Sequence, residues 1–123
     1  MLGSATPVLR IFDEAKAREF YLDFLGFQVE FEHRFEPGLP LYLSVIRDGL
    51  ILHLSEHHGD ACPGAQVRIA TYDVHGFVNE LSARDYGYAR PGAPERQPWG
   101  TDEITLADPF GNRLTFWQPV DGN

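Results

Sequence analysis

The chain states one folding plan twice. Asp13 opens the run DEAKAREFYLDFLGF, in which Ala17, Phe20, Tyr21, Phe24 and Leu25 recur at i, i+3, i+4, i+7 and i+8. That spacing lays one apolar stripe along a helix. Asp13 is suited to cap its start and Gly26 to end it. Asp73, 60 positions later, opens a second run in which Val74, Phe77, Val78 and Leu81 keep the i, i+3, i+4, i+7 spacing, and Gly87 stands as its stop. A short strand candidate precedes each helix: PVLRIF before the first, QVRIATY (Gln66 to Tyr72) before the second.

The segments after the helices also match. From Phe27 to Phe35 the chain alternates, with Phe27, Val29, Phe31, His33 and Phe35 on one face and Gln28, Glu30, Glu32 and Arg34 on the other. This predicts a half-buried strand. Pro37, Gly38 and Pro40 break it. LYLSVIR and LILHLSE then flank Asp48-Gly49. Such a pair between two apolar runs signals a hairpin, because both turn positions want positive φ. In the second half, ARPGAPERQPWG reads as an irregular edge strand plus a loop. EITLA and RLTFWQ flank DPFGN as a mirror of the first hairpin, and HHGDACPGA has linker composition. The expectation is one α+β domain over residues 1–123, built of two βαβββ modules. They would span about 6–56 and about 66–119, joined by a linker at about 57–65.

Composition removes several functions. Eighteen acidic residues against ten basic ones give a net charge of -8. Nucleic acid needs a basic footprint and is excluded, an anionic membrane surface is disfavoured, and a cationic ligand would be attracted. The single cysteine rules out an intramolecular disulfide and fits a reducing compartment. No apolar run approaches a membrane span, and MLGSATP lacks the apolar core of a signal peptide, so the cytoplasm is the expected location. Nine phenylalanines, five tyrosines and two tryptophans exceed what a plain scaffold needs and allow an aromatic-lined pocket.

Two βαβββ modules in this length resemble the vicinal-oxygen-chelate superfamily, which includes glyoxalase I, extradiol dioxygenases, fosfomycin-resistance enzymes and bleomycin-resistance proteins. The likeness covers nearly the whole chain. PVLRIFDEAKAREFYLDFLGF is similar to the superfamily's first strand and helix, and QPWGTDEITLADPFGNRLTFW to its last hairpin. QPWG followed at this spacing by DPFGN is especially similar to the bleomycin-binding proteins. The resemblance implies two curled sheets around a cavity, and a homodimer. A dimer would also cover sheet edges.

In metal-using members the ligands come from the first and last strands of each module. Those positions fall here near Thr6, His53, Val67 and Thr115. Only His53 is a competent ligand, whereas catalytic sites normally show three. A slip of one residue would exchange Val67 for Gln66 or Arg68, and neither restores a familiar site. His57, His58, Asp60 and Cys62 show no ordered ligand spacing. No metal, no other cofactor and no catalytic residue is therefore expected. Ser44, Ser55 and Ser82 lie in no nucleophile elbow, and no Gly-rich phosphate loop occurs.

Strand parity proposes a lining. Ile51 and Ser55 share a face with His53, Arg113 and Trp117 with Thr115, and Val8 and Arg10 with Thr6. Arg10 matches an arginine that contacts a substrate carboxylate in glyoxalase-like members, or else it serves an ordinary salt bridge. Trp99 stands where the bleomycin-binding proteins place a tryptophan that stacks on the planar part of the drug, or else it is a packed surface residue. Phe31, Phe35 and Tyr42 form an opposing wall, unless Phe31 and Phe35 are core. Glu103 and Asp102, beside Trp99, would suit a cationic ligand. The expected function is non-catalytic binding and sequestration of a bleomycin-type cationic, flat-aromatic antibiotic. The rivals are a glyoxalase-like lyase, isomerase or dioxygenase, using His53 with His33 or Glu103 on a metal, and a binder of some other small metabolite.

Overall fold

The computed structural model describes residues 1–84, 86–87 and 89–120. Its elements run β1 (Val8–Arg10), α1 (Glu14–Arg18), a π-helical continuation (Glu19–Phe24), β2 (Gln28–His33), β3 (Tyr42–Arg47), β4 (Leu50–Ser55), β5 (Gln66–Ala70), α2 (Val74–Ser82), β6 (Glu95–Arg96), β7 (Thr101–Ala107) and β8 (Arg113–Pro119). They form two mixed four-stranded sheets, ordered β1-β4-β3-β2 and β5-β8-β7-β6, in an α+β architecture. In each sheet the first strand pairs in parallel with the last strand of its repeat. Contacts divide the chain into two compact units, Met1–Ala65 with Pro109–Asn112, and Gln66–Asp108 with Arg113–Asn123. No helix among the described residues is long and apolar enough to cross a membrane.

Both caps form as the sequence predicts. Asp13 accepts the backbone N–H of Lys16, and Asp73 that of Gly76, each at 2.9 Å. The first helix departs from a plain α-helix. After Arg18 it widens to π geometry, with Leu25 N–H donating to Phe20 O at 2.9 Å. Gly26 then ends it at φ 79. The second helix stops at Ser82, before the predicted Gly87, with Ala83 as its C-cap.

In the first unit one sheet face carries Leu9, Leu43, Val45, Leu52 and Leu54, all buried, and the helical stripe Ala17, Phe20, Tyr21, Phe24 and Leu25 is buried as well. Phe20 meets Tyr21 edge-on at 4.9 Å. In the second unit Val67, Leu106, Leu114, Ile69, Ile104 and Phe116 share the corresponding face. Phe77 of α2 lies 4.7 Å from Phe116.

The alternation read from Phe27 to Phe35 is corrected by a β-bulge. Register slips between Val29 and Phe31, so these two side chains fall on opposite faces. All six residues of β2 are exposed, because it is an edge strand with one neighbour. The Asp48-Gly49 hairpin has the expected double positive φ, 50 and 82. The DPFGN turn does not copy it. It is a five-residue connection in which Gly111 carries the positive φ, 89.

Candidate functional site

The candidate lining residues divide between the two units, and most of those on strands lie on the sheet face that the core does not use. In the first unit Val8, His53, Ser44 and Phe31 are successive register partners across the sheet. Tyr42 hydroxyl and His53 Nδ1 share a hydrogen bond at 2.6 Å. Phe31 lies edge-on to His53 at 5.6 Å, and Phe35 sits 4.8 Å from His33 and 6.1 Å from His57. Phe31 is 46% exposed and Phe35 74%, so neither belongs to the core. Burial raises the Tyr42 pKa, with a further contribution from Asp60. Ser55 is buried and spoken for: it donates to Asp60 at 2.7 Å and accepts from the His57 N–H. It thus fixes the start of the linker. Thr6 is exposed and lies outside β1. Arg10 is half-buried, with its guanidinium 4.7 Å from the Phe12 ring, and its Nη1 is buried without a hydrogen-bond partner. Among the described residues it makes no ion pair.

The second unit holds a groove of about 450 Å³ lined by Gln66, Arg68, Glu95, Trp99, Glu103 and Thr115, among others. Register explains the grouping. Arg68 opposes Thr115, which opposes Thr105, and Trp117 opposes Glu103, which opposes Glu95. The two threonine hydroxyls share a hydrogen bond at 2.8 Å. Glu103 is only 8% exposed and forms the hub. Arg68 reaches it through two nitrogens, at 3.2 and 2.7 Å. The Thr101 hydroxyl and the Trp99 indole N–H also donate to it, at 2.6 and 3.1 Å. These donors, Arg68 above all, hold its pKa at about 2 against a usual 4.5. Arg68 crosses the sheet face above Trp117, 5.8 Å from that ring. Trp99 is 65% exposed, so its ring lies outside the core.

Asp102 does not join Glu103. Adjacent residues of a strand point to opposite faces. Asp102 instead meets Arg96 at 2.6 Å and His75 at 3.3 Å, and Arg96 chiefly lowers its pKa. Sequence reasoning missed Arg68, Gln66, Glu95 and Gln97 as groove residues. Arg68 was within reach: counting parity from Thr115 through a parallel pairing finds it, but that pairing register is not written in either strand alone.

The sequence matches the family described as "Glyoxalase superfamily protein" over residues 2–123. The chain belongs to the glyoxalase superfamily. Among solved structures it is similar to a bleomycin-binding protein complexed with bleomycin, at 28% identity and a TM-score of 0.72, covering 95% of this chain and 98% of that one. It is similar to the bleomycin-binding protein from bleomycin-producing Streptomyces verticillus complexed with copper(II)-bleomycin, at 25% identity, TM-score 0.71 and coverage of 100% and 98%. It also resembles TnmS3, an antibiotic-binding protein from Streptomyces sp. CB03234, at 25% identity, TM-score 0.72 and coverage of 97% and 98%. A comparison with curated proteins finds no match.

The metal-ligand positions of the superfamily do not fit a divalent ion in this member. Val67 lies on the core face opposite Leu114. The Thr115 hydroxyl is engaged by Thr105, so His53 is the one competent ligand among these positions. Among the described residues no three His, Cys, Asp or Glu side chains gather where they could hold a metal. Three protein ligands are the usual minimum for a catalytic zinc.

Proposed function

We propose that this protein binds and sequesters, without turnover, a bleomycin-type antibiotic that carries a flat aromatic segment and positive charge, and so confers resistance. The observation that carries the reading is Trp99: an indole 65% exposed over a groove, with its nitrogen anchored to Glu103. An exposed ring held in one orientation is a stacking platform, worth on the order of 1 kcal/mol beyond the area it buries. The net charge of -8 draws a cation toward the protein. The likeness to two bleomycin-binding proteins and an antibiotic-binding protein supports the ligand class.

In this reading the protein acts in the cytoplasm as a homodimer. The six exposed residues of edge strand β2, with Val29 and Phe31 among them, are the kind of surface a second copy covers. Binding alone protects, because captured drug does not reach its target. The test is a calorimetric titration of metal-free and copper(II)-loaded bleomycin into chelator-treated protein. Submicromolar binding at one drug per chain is expected. No heat and no binding at high micromolar protein would remove the antibiotic assignment.

A further inference from the structure

We propose that Glu103 is a positioning residue for the Trp99 indole, and that the carboxylate the groove shows to a ligand is Glu95. The inference rests on the reading that this groove is the ligand site.

The hydrogen bonds at Glu103 carry the first half. A carboxylate has about four lone-pair directions. Here Oε1 takes one Arg68 nitrogen, and Oε2 takes the other Arg68 nitrogen, the Thr101 hydroxyl and the Trp99 N–H. The group is buried, and Oε2, with three donors, has no lone pair to spare. A ligand cation at Oε2 would have to displace a donor already in place. The Trp99 ring, by contrast, needs an anchor. Its backbone is set by a tight turn in which Gly100, at φ 91, donates to Gln97 O at 3.0 Å. That turn does not fix the two side-chain torsions. Indole has one donor and no acceptor, so the bond from Nε1 to Glu103 selects one ring orientation. The charge of Glu103 serves Arg68, and its geometry serves Trp99.

The second half follows from register. Glu95 is the cross-strand partner of Glu103 on the same face, lines the same groove and is exposed. It is the carboxylate placed to meet a cation beside the Trp99 ring.

The test uses the full chain with Glu103→Ala, Glu103→Gln and Glu95→Gln, and two probes that do not depend on each other. Solvent exchange of the Trp99 indole N–H, followed by NMR, reports ring anchoring without any ligand. Exchange should speed up about tenfold or more in Glu103→Ala and stay within about threefold in Glu103→Gln, which keeps an acceptor. Caesium quenching of Trp99 fluorescence, in a Trp117→Phe background, reports which carboxylate faces an arriving cation. Glu95→Gln should lower the quenching constant more than Glu103→Gln does. Copper(II)-bleomycin affinity should fall about tenfold in Glu103→Ala and about threefold in Glu95→Gln, with little change in Glu103→Gln. The proposal is overturned if Glu103→Gln weakens bleomycin as much as Glu103→Ala while the indole N–H stays protected, or if Glu103→Gln has the larger effect on caesium quenching. Failure of the wild-type protein to bind bleomycin would sink the antibiotic reading alone, since indole exchange and caesium quenching still decide the roles of Glu103 and Glu95.

Discussion

In the first repeat the strand that edges the sheet, β2, runs for six residues and is exposed throughout; in the second its counterpart, β6, has two residues and leads into the turn that carries Trp99. The core faces differ far less. Leu9, Leu54 and Leu43 in one sheet and Ile69, Phe116 and Ile104 in the other hold the same places, and in each sheet the first strand is followed by a helix capped by aspartate. A core must be filled with apolar volume at near-crystalline density, so both repeats keep its pattern. The other face has no such duty and has diverged. One repeat fills it with histidines, tyrosine and phenylalanine, the other with an arginine-glutamate pair, threonines and tryptophans. Shortening the edge strand in the second repeat releases the chain to form the Trp99 turn.

The largest effect should come from the shared core. Phe24→Ala should destabilise by about 3–5 kcal/mol and Leu114→Ala by about 2–5 kcal/mol, since both side chains are buried. Both tryptophans lie in the second repeat, so fluorescence reports that unit and far-ultraviolet dichroism reports both. The Pro109–Asn112 turn of the last hairpin belongs to the first unit, where Asn112 donates to Arg10 O at 2.9 Å. The two signals should therefore shift together in urea. Separate transitions would show that the repeats unfold independently.

Trp99→Ala separates the faces from the cores. It should weaken bleomycin binding about tenfold or more. Fold stability should move by about 1 kcal/mol at most, since the change removes one of four donors to Glu103 and little buried area. A large loss of stability would mean that the turn is structural rather than a binding platform.

How far the sequence could be read follows the same division. The helical stripes, both caps and the Asp48-Gly49 turn are local, so Asp13, Asp73 and the double positive φ could be named in advance. The β2 bulge could not, because one unpaired residue at Glu30 reverses parity without changing the apolar pattern. Parity also failed to show that Asp102 and Glu103 part company, since β7 begins earlier than its apolar run suggests. The Arg68–Glu103 pair spans 35 residues and depends on two registers, so only the folded sheets reveal it.

Acid should expose that pair. The Glu103 pKa is lowered to about 2 from a usual 4.5, so its contribution is complete above the unfolded value and is lost as pH falls from about 4.5 toward 2. Arg68 is half exposed, and solvent screening keeps the contribution small. Wild type should lose stability across that window more steeply than Glu103→Gln. Parallel acid profiles would show that the pair contributes nothing net.

The smallest effects compare the two caps. Asp13→Ala and Asp73→Ala should each cost about 1 kcal/mol in urea unfolding, because each removes the acceptor for one helix N–H. The third helical residue then distinguishes the repeats. It is Lys16 in the first and Gly76 in the second. Replacing a helical glycine with alanine normally gains about 1 kcal/mol. At Gly76 an added Cβ would stand 2.3 Å from Asp73 Oδ2, so the cap must move to admit it. Asp13 tolerates a side chain at this place with ψ 117, whereas Asp73 has ψ 82 and swings its carboxyl over the glycine. Gly76→Ala should therefore show no gain. In an Asp73→Ala background, with the obstructing carboxylate gone, the same substitution should recover the usual gain. A full gain in the presence of Asp73 would show that the cap shifts at no cost and that the two helix starts are equivalent.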